Sequence, residues 1–128
     1  MRRTIPSILF AALLAAATPA AAEDKIDTLK ELFDRLGRCF KSPRLPSGHP
    51  GLQVTVLVTF TKTGELFGKP KIVYESEYGN DNDRLRYRIA AMEALQRCSP
   101  MPFTEGLGGA VAGRAIRMRF DDRRTKSI

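Results

Sequence analysis

The chain is expected to fold as one α+β domain, a three-stranded antiparallel sheet in the order 2-1-3 with two helices packed on one face. Three observations predict this. Residues 53–61 and 114–120 alternate apolar and polar side chains at the period of a half-buried strand. Residues 24–40 space their apolar side chains by three and four, the period of a helical face. The elements follow one another as α-β-β-α-β, and 128 residues with 43% apolar content supply one core of ordinary size, not two.

The first helix spans Asp24 to Phe40, with Ile26, Leu29, Leu32, Phe33, Leu36 and Phe40 on one face. Glu23 and Asp24 stand at its start and Arg35, Arg38 and Lys41 near its end, the arrangement the helix dipole favours. From Lys41 to Gly51 the prolines and Gly48 break regular structure, and His49 is expected to be an exposed loop residue. Val54, Val56, Val58 and Phe60 then share one face of strand one, while Thr55, Leu57, Thr59 and Thr61 share the other.

A turn at Lys62-Thr63-Gly64 leads into a second extended run, Leu66 to Glu75, completing a hairpin. Gly68 and Pro70 place that strand at a margin of the sheet, because proline cannot donate to a ladder. Acids and amides from Gly79 to Asp83 cap helix two, whose stripe reads Leu85, Ile89, Met92 and Leu95, with Ala91, Ala94 and Cys98 beside it. Pro100 and Pro102 stop that helix, and Thr104 to Gly113 reads as a loose glycine-containing connection. In strand three, Arg114 to Phe120, Ile116, Met118 and Phe120 point inward while Ala115, Arg117 and Arg119 point outward. Strand three docks on the far side of strand one, so that all neighbours are antiparallel and strands two and three become the edges.

Residues 1–22 carry Arg2 and Arg3, an Ala-rich apolar run and Ala20-Ala21-Ala22, the pattern of a secretory signal peptide cleaved after Ala22. Export gives Cys39 and Cys98 an oxidising environment and one possible intramolecular pairing. A bridge between them closes a ring of about 60 residues, stabilising the fold by roughly 4 kcal/mol on the chain-entropy model. The domain is expected over residues 23–121, followed by a charged tail over 122–128.

Formal charge is +7, from 21 basic and 14 acidic residues. Arg114, Arg117, Arg119, Arg123, Arg124 and Lys126 cluster near the end, but Asp121 and Asp122 interrupt them and no aromatic platform is interleaved. Nucleic acid is therefore not the expected partner. No serine or cysteine has a histidine in a catalytic motif, and no glycine-rich phosphate loop follows a strand. Cys39, Cys98 and His49 match no zinc spacing. Neither an enzyme, a cofactor nor a metal site is expected.

From about Arg38 to Phe120 the chain resembles the carboxy-terminal domain shared by TolA and TonB. The residues that carry the resemblance are Val54-Thr55-Val56-Leu57-Val58-Thr59-Phe60 with Thr63-Gly64 and Leu66, Ala90 to Leu95 leading into Cys98 to Phe103, and Ile116 to Phe120. Arg38-Cys39-Phe40 with Arg97-Cys98-Ser99-Pro100 is similar to the TolA branch in particular. No long helical or proline-rich span accompanies it, and Glu75 to Gly79 stands in place of the serine-rich stretch common after the second strand. The resemblance implies a short periplasmic adaptor of the cell envelope that binds an extended segment of a partner protein by edge-strand pairing. The expected binding edge is Ala115, Ile116, Arg117, Met118, Arg119 and Phe120, with the two arginines favouring an acidic partner. Two rival readings are a membrane-tethered transducer that retains its leader and a basic protein that contacts anionic lipid; membrane contact is not expected once the leader is cleaved.

Overall fold

The computed structural model describes Thr4 and residues 25–45, 51–77 and 79–122. The expected leader, apart from Thr4, lies outside the described residues, as do His49 and the tail from residue 123. The elements run α1 (Leu29–Cys39), β1 (Gln53–Thr59), β2 (Lys71–Glu75), α2 (Asp81–Cys98), α3 (Glu105–Val111) and β3 (Ala115–Asp121). The three strands form one antiparallel sheet in the order β2-β1-β3, as the connectivity predicts.

β1 sits centrally because its inward side chains are all β-branched or aromatic and can be buried between neighbours. Val54, Val56, Val58 and Phe60 are at most 1% exposed and meet Ile116, Met118 and Phe120 of β3 in one cluster. Removing each such side chain from water is worth roughly 1.5–3 kcal/mol, which makes this face the main stabilising surface. The seven residues of β3 pair with β1 in unbroken register, Gln53 opposite Asp121 through Thr59 opposite Ala115. β2 pairs less evenly. Its register slips between Thr55 and Val56, leaving Val73 as an extra residue, and Pro70 precedes it. Its outer edge is therefore blunted by a bulge and a proline, whereas that of β3 is neither bulged nor interrupted.

α1 begins one turn later than the periodicity suggests. Thr28 accepts from the Glu31 backbone N–H at 3.1 Å and fixes the start. Ile26 precedes the helix and is 1% exposed, bridged to Phe103, while Leu29 lies half in solvent. α2 corrects the predicted stripe: Leu85 and Ile89 are 48% and 49% exposed, and the buried face is Tyr87, Ala91, Ala94, Leu95 and Cys98. Small alanines let α2 lie close to α1 and the sheet, a demand that outweighs the larger apolar side chains on the other face. The segment expected as a loose connection contains α3, capped by Thr104 accepting from Leu107 N–H at 3.2 Å and buried through Leu107 and Val111.

The Cys39–Cys98 disulfide is present and joins the C-terminal ends of α1 and α2, with 6.0 Å between Cα atoms. Arg97 also donates to the Cys39 carbonyl. At the other margin Arg88 of α2 holds Glu75 of β2 through two hydrogen bonds, one of 2.7 Å, which fixes helix to sheet. Those bonds hold the Glu75 carboxyl below the usual carboxylate range, with partial burial opposing them. The folded-state value is depressed, so the contribution is complete above the unfolded carboxylate value and is lost as pH falls through the folded one. Glu75→Gln is expected to melt lower than the parent at pH 7, with the gap closing below about pH 4. A gap that stays constant from pH 7 to about pH 3 contradicts this assignment.

Candidate functional site

The free edge of β3 can be assigned group by group. Asp122 donates to the Leu52 carbonyl at 3.4 Å, which sets the phase of the β1–β3 ladder. Antiparallel alternation then turns the amides and carbonyls of Ile116, Met118 and Phe120 toward β1 and those of Ala115, Arg117 and Arg119 outward. Outside the sheet, no described residue donates a backbone hydrogen bond to these outward groups or accepts one from them.

The structure places the six expected edge residues on this one strand, in two sets. Ile116, Met118 and Phe120 are buried in the core, so their side chains are not available to a partner. Ala115, Arg117 and Arg119 are exposed on the opposite face. Arg119 is not a free cation as the sequence suggests, because its Nε lies 3.3 Å from Asp121 Oδ2. Arg117 has no carboxylate partner among the described residues.

Beside this edge runs a groove of about 1160 Å³ between α1 and the C-terminal half of β3. Its accessible apolar part comes from Phe33 of α1 and from Phe40 at the C-cap of that helix, while Phe120, which also borders it, is buried. Phe40 stacks on Phe120 with ring centroids 5.0 Å apart, so α1 is held directly alongside the edge. Gly37 lies four residues after Phe33 on the same flank of α1, and both line the groove together with the C-cap residue Phe40. The lining also holds Lys25, Arg35, Arg38, Lys41 and Arg119 against Glu31, Asp34 and Asp121. All three carboxylates are already engaged, by the Asp27 amide, by Lys30 at 3.2 Å and by Arg119. With five cations against three carboxylates, the lining carries a net positive charge.

The end of the groove is fixed by a polar relay. Ser42 donates to Asp122 at 2.5 Å and lies 3.2 Å from the Tyr87 hydroxyl, tying the loop after α1 to the end of β3. Burial pushes the Tyr87 hydroxyl above its ordinary value. Neither the groove nor the relay was visible in the sequence. The only local signal is the Phe33, Gly37 spacing of four, which marks a shared flank of α1 without saying what faces it.

Among the described residues no three His, Cys, Asp or Glu side chains are placed to hold a metal ion, and no helix is long and apolar enough to cross a membrane. Fold and site together define a class: a disulfide-clamped α+β domain with one unblunted sheet edge beside a basic groove. The chain belongs to the family described as Uncharacterised conserved protein UCP034077, whose model matches residues 22–124. That match overturns the expected membership of the TolA and TonB carboxy-terminal family. The strand and helix patterns that suggested it are those of an α-β-β-α-β domain with this sheet order, and they carry no family specificity of their own. No curated protein and no solved structure matches the chain.

Proposed function

We propose that this is an exported protein-binding domain of the cell envelope, which takes up an extended segment of another protein as a fourth strand beside β3. The observation that carries the reading is the coincidence of an unpaired, regular strand edge with a groove that opens beside its C-terminal end, at Arg119 to Asp121. An edge alone would need only protection, but the groove gives the side chains of an added strand a place to go. The leader pattern and the disulfide support an oxidising compartment outside the cytoplasm. Self-pairing is disfavoured, since a second β3 would bring its own outward arginines beside Arg117 and Arg119.

Amide hydrogen exchange tests the reading. In the free protein Arg117 and Arg119 amides exchange fast, while Met118 and Phe120 are protected by β1. Adding an uncharged strand-forming peptide of alternating valine and threonine is expected to slow Arg117 and Arg119 by about tenfold or more. No protection with any strand-forming peptide, or protection that appears along β2 instead, overturns it.

A further inference from the structure

Gly37 is hard to explain by the fold alone. Glycine inside a helix is unfavourable relative to alanine, because its backbone loses more freedom and contributes no side chain. Gly51, Gly64, Gly68, Gly79 and Gly113 have positive φ and Gly108 has a close backbone neighbour, whereas Gly37, like Gly106 and Gly109 of α3, has neither. Its φ is not positive, and a Cβ built there would meet nothing within 4 Å. It is exposed, it lines the groove, and it leaves a gap between Phe33 and Phe40 opposite the β3 edge.

An added strand beside β3 would alternate its side chains between two environments. Those on the helix side enter the groove against Phe33, Gly37 and Phe40. Those on the outer side lie next to Arg117, whose guanidinium has no carboxylate partner among the described residues. Lys25, Arg38 and Lys41 stand around the groove, likewise without carboxylate partners among the described residues. The two faces therefore ask for different chemistry.

We infer that the partner is a protein segment alternating apolar and acidic residues, with one large apolar side chain seated on Gly37 between the two phenylalanines and a carboxylate beside Arg117. This rests on the edge-pairing reading above and specifies its occupant. Electrostatic complementarity selects the acid, the gap at Gly37 selects the apolar residue, and the β3 backbone sets the register.

The test uses the full chain and two ten-residue peptides, one alternating phenylalanine or valine with aspartate, the other with lysine in place of each aspartate. The acidic peptide is expected to bind at least about tenfold more tightly, and Arg117→Glu to reverse that order. Gly37→Leu fills the seat and should weaken the acidic peptide about tenfold or more while melting no lower than the parent. Gly37→Ala should melt higher than the parent.

Equal binding of the two peptides, with Arg117 still protected from exchange, overturns this inference and leaves edge pairing standing. Acidic-peptide binding without that protection sinks edge pairing and the inference with it. A Gly37→Leu variant that binds like the parent, or a Gly37→Ala variant that melts lower, removes the seat. A dimer that protects Arg117 without peptide makes a second copy the occupant and overturns the assignment.

Discussion

Replacing both Cys39 and Cys98 by alanine is expected to lower the stability of the domain by about 4 kcal/mol. The two positions are 59 residues apart in sequence, so the bond removes a long stretch of unfolded-chain freedom. For a domain of this size that loss corresponds to a fall of roughly 15–30 °C in melting temperature. It is a large share of the about 5–15 kcal/mol that separates folded from unfolded chains. The bond also anchors the C-terminal end of α1, which forms one wall of the groove. The same variant should therefore lose peptide affinity at temperatures where its sheet is still folded. A double-alanine variant that melts within a few degrees of the parent would show that Arg97 and the helix contacts hold α1 without the bond.

The sheet was legible because its information is local. Val54 to Phe60 and Ile116 to Phe120 carry a period of two, and connectivity leaves few ways to arrange three antiparallel strands. α3 was hidden by composition. Three of its seven residues are glycine, and the Leu107 to Val111 spacing is its only apolar signal, although Thr104 and Glu105 form a helix start that capping rules recognise. Gly108 is required by close approach, since a Cβ there would collide with the Lys62 carbonyl, so tertiary packing overrode helix propensity. The predicted stripe on α2 departs from the structure in its first half for a related reason. Leu85 and Ile89 repeat with helical spacing yet lie half in solvent, because the close α1–α2 contact selects alanine for burial, while Met92 and Leu95 of the same stripe do pack on the core.

The candidate site divides along the same line. That β3 is an edge with outward arginines follows from strand order and alternation, both sequence properties. That Asp121 engages Arg119, and that α1 runs beside the edge leaving a groove, depends on how separate elements meet. Gly37 shows the limit most clearly. In the sequence it is a weak point in a helix; beside β3 it is the place where a helix wall recedes.

Gly64→Ala is the other substitution expected to have a severe effect, at about 4 kcal/mol or more. Gly64 turns the β1–β2 connection with φ +86°, a conformation costing a non-glycine residue about 1–2 kcal/mol. Its N–H donates to Thr61 at 3.0 Å and its carbonyl accepts from Met101 at 2.8 Å, so the turn is clamped onto the segment between α2 and α3. A Cβ at this position would run into the Met101 backbone carbonyl, which cannot rotate away as a side chain would. Relief requires moving the turn off Met101, which is 1% exposed in the core, or breaking that hydrogen bond. Gly68 supplies the control, since it also has positive φ, +72°, but open space where its Cβ would lie. Gly68→Ala should therefore cost only the conformational part, about 1–2 kcal/mol. If the two variants unfold at the same denaturant concentration, backbone conformation accounts for both losses and the contact with Met101 adds nothing.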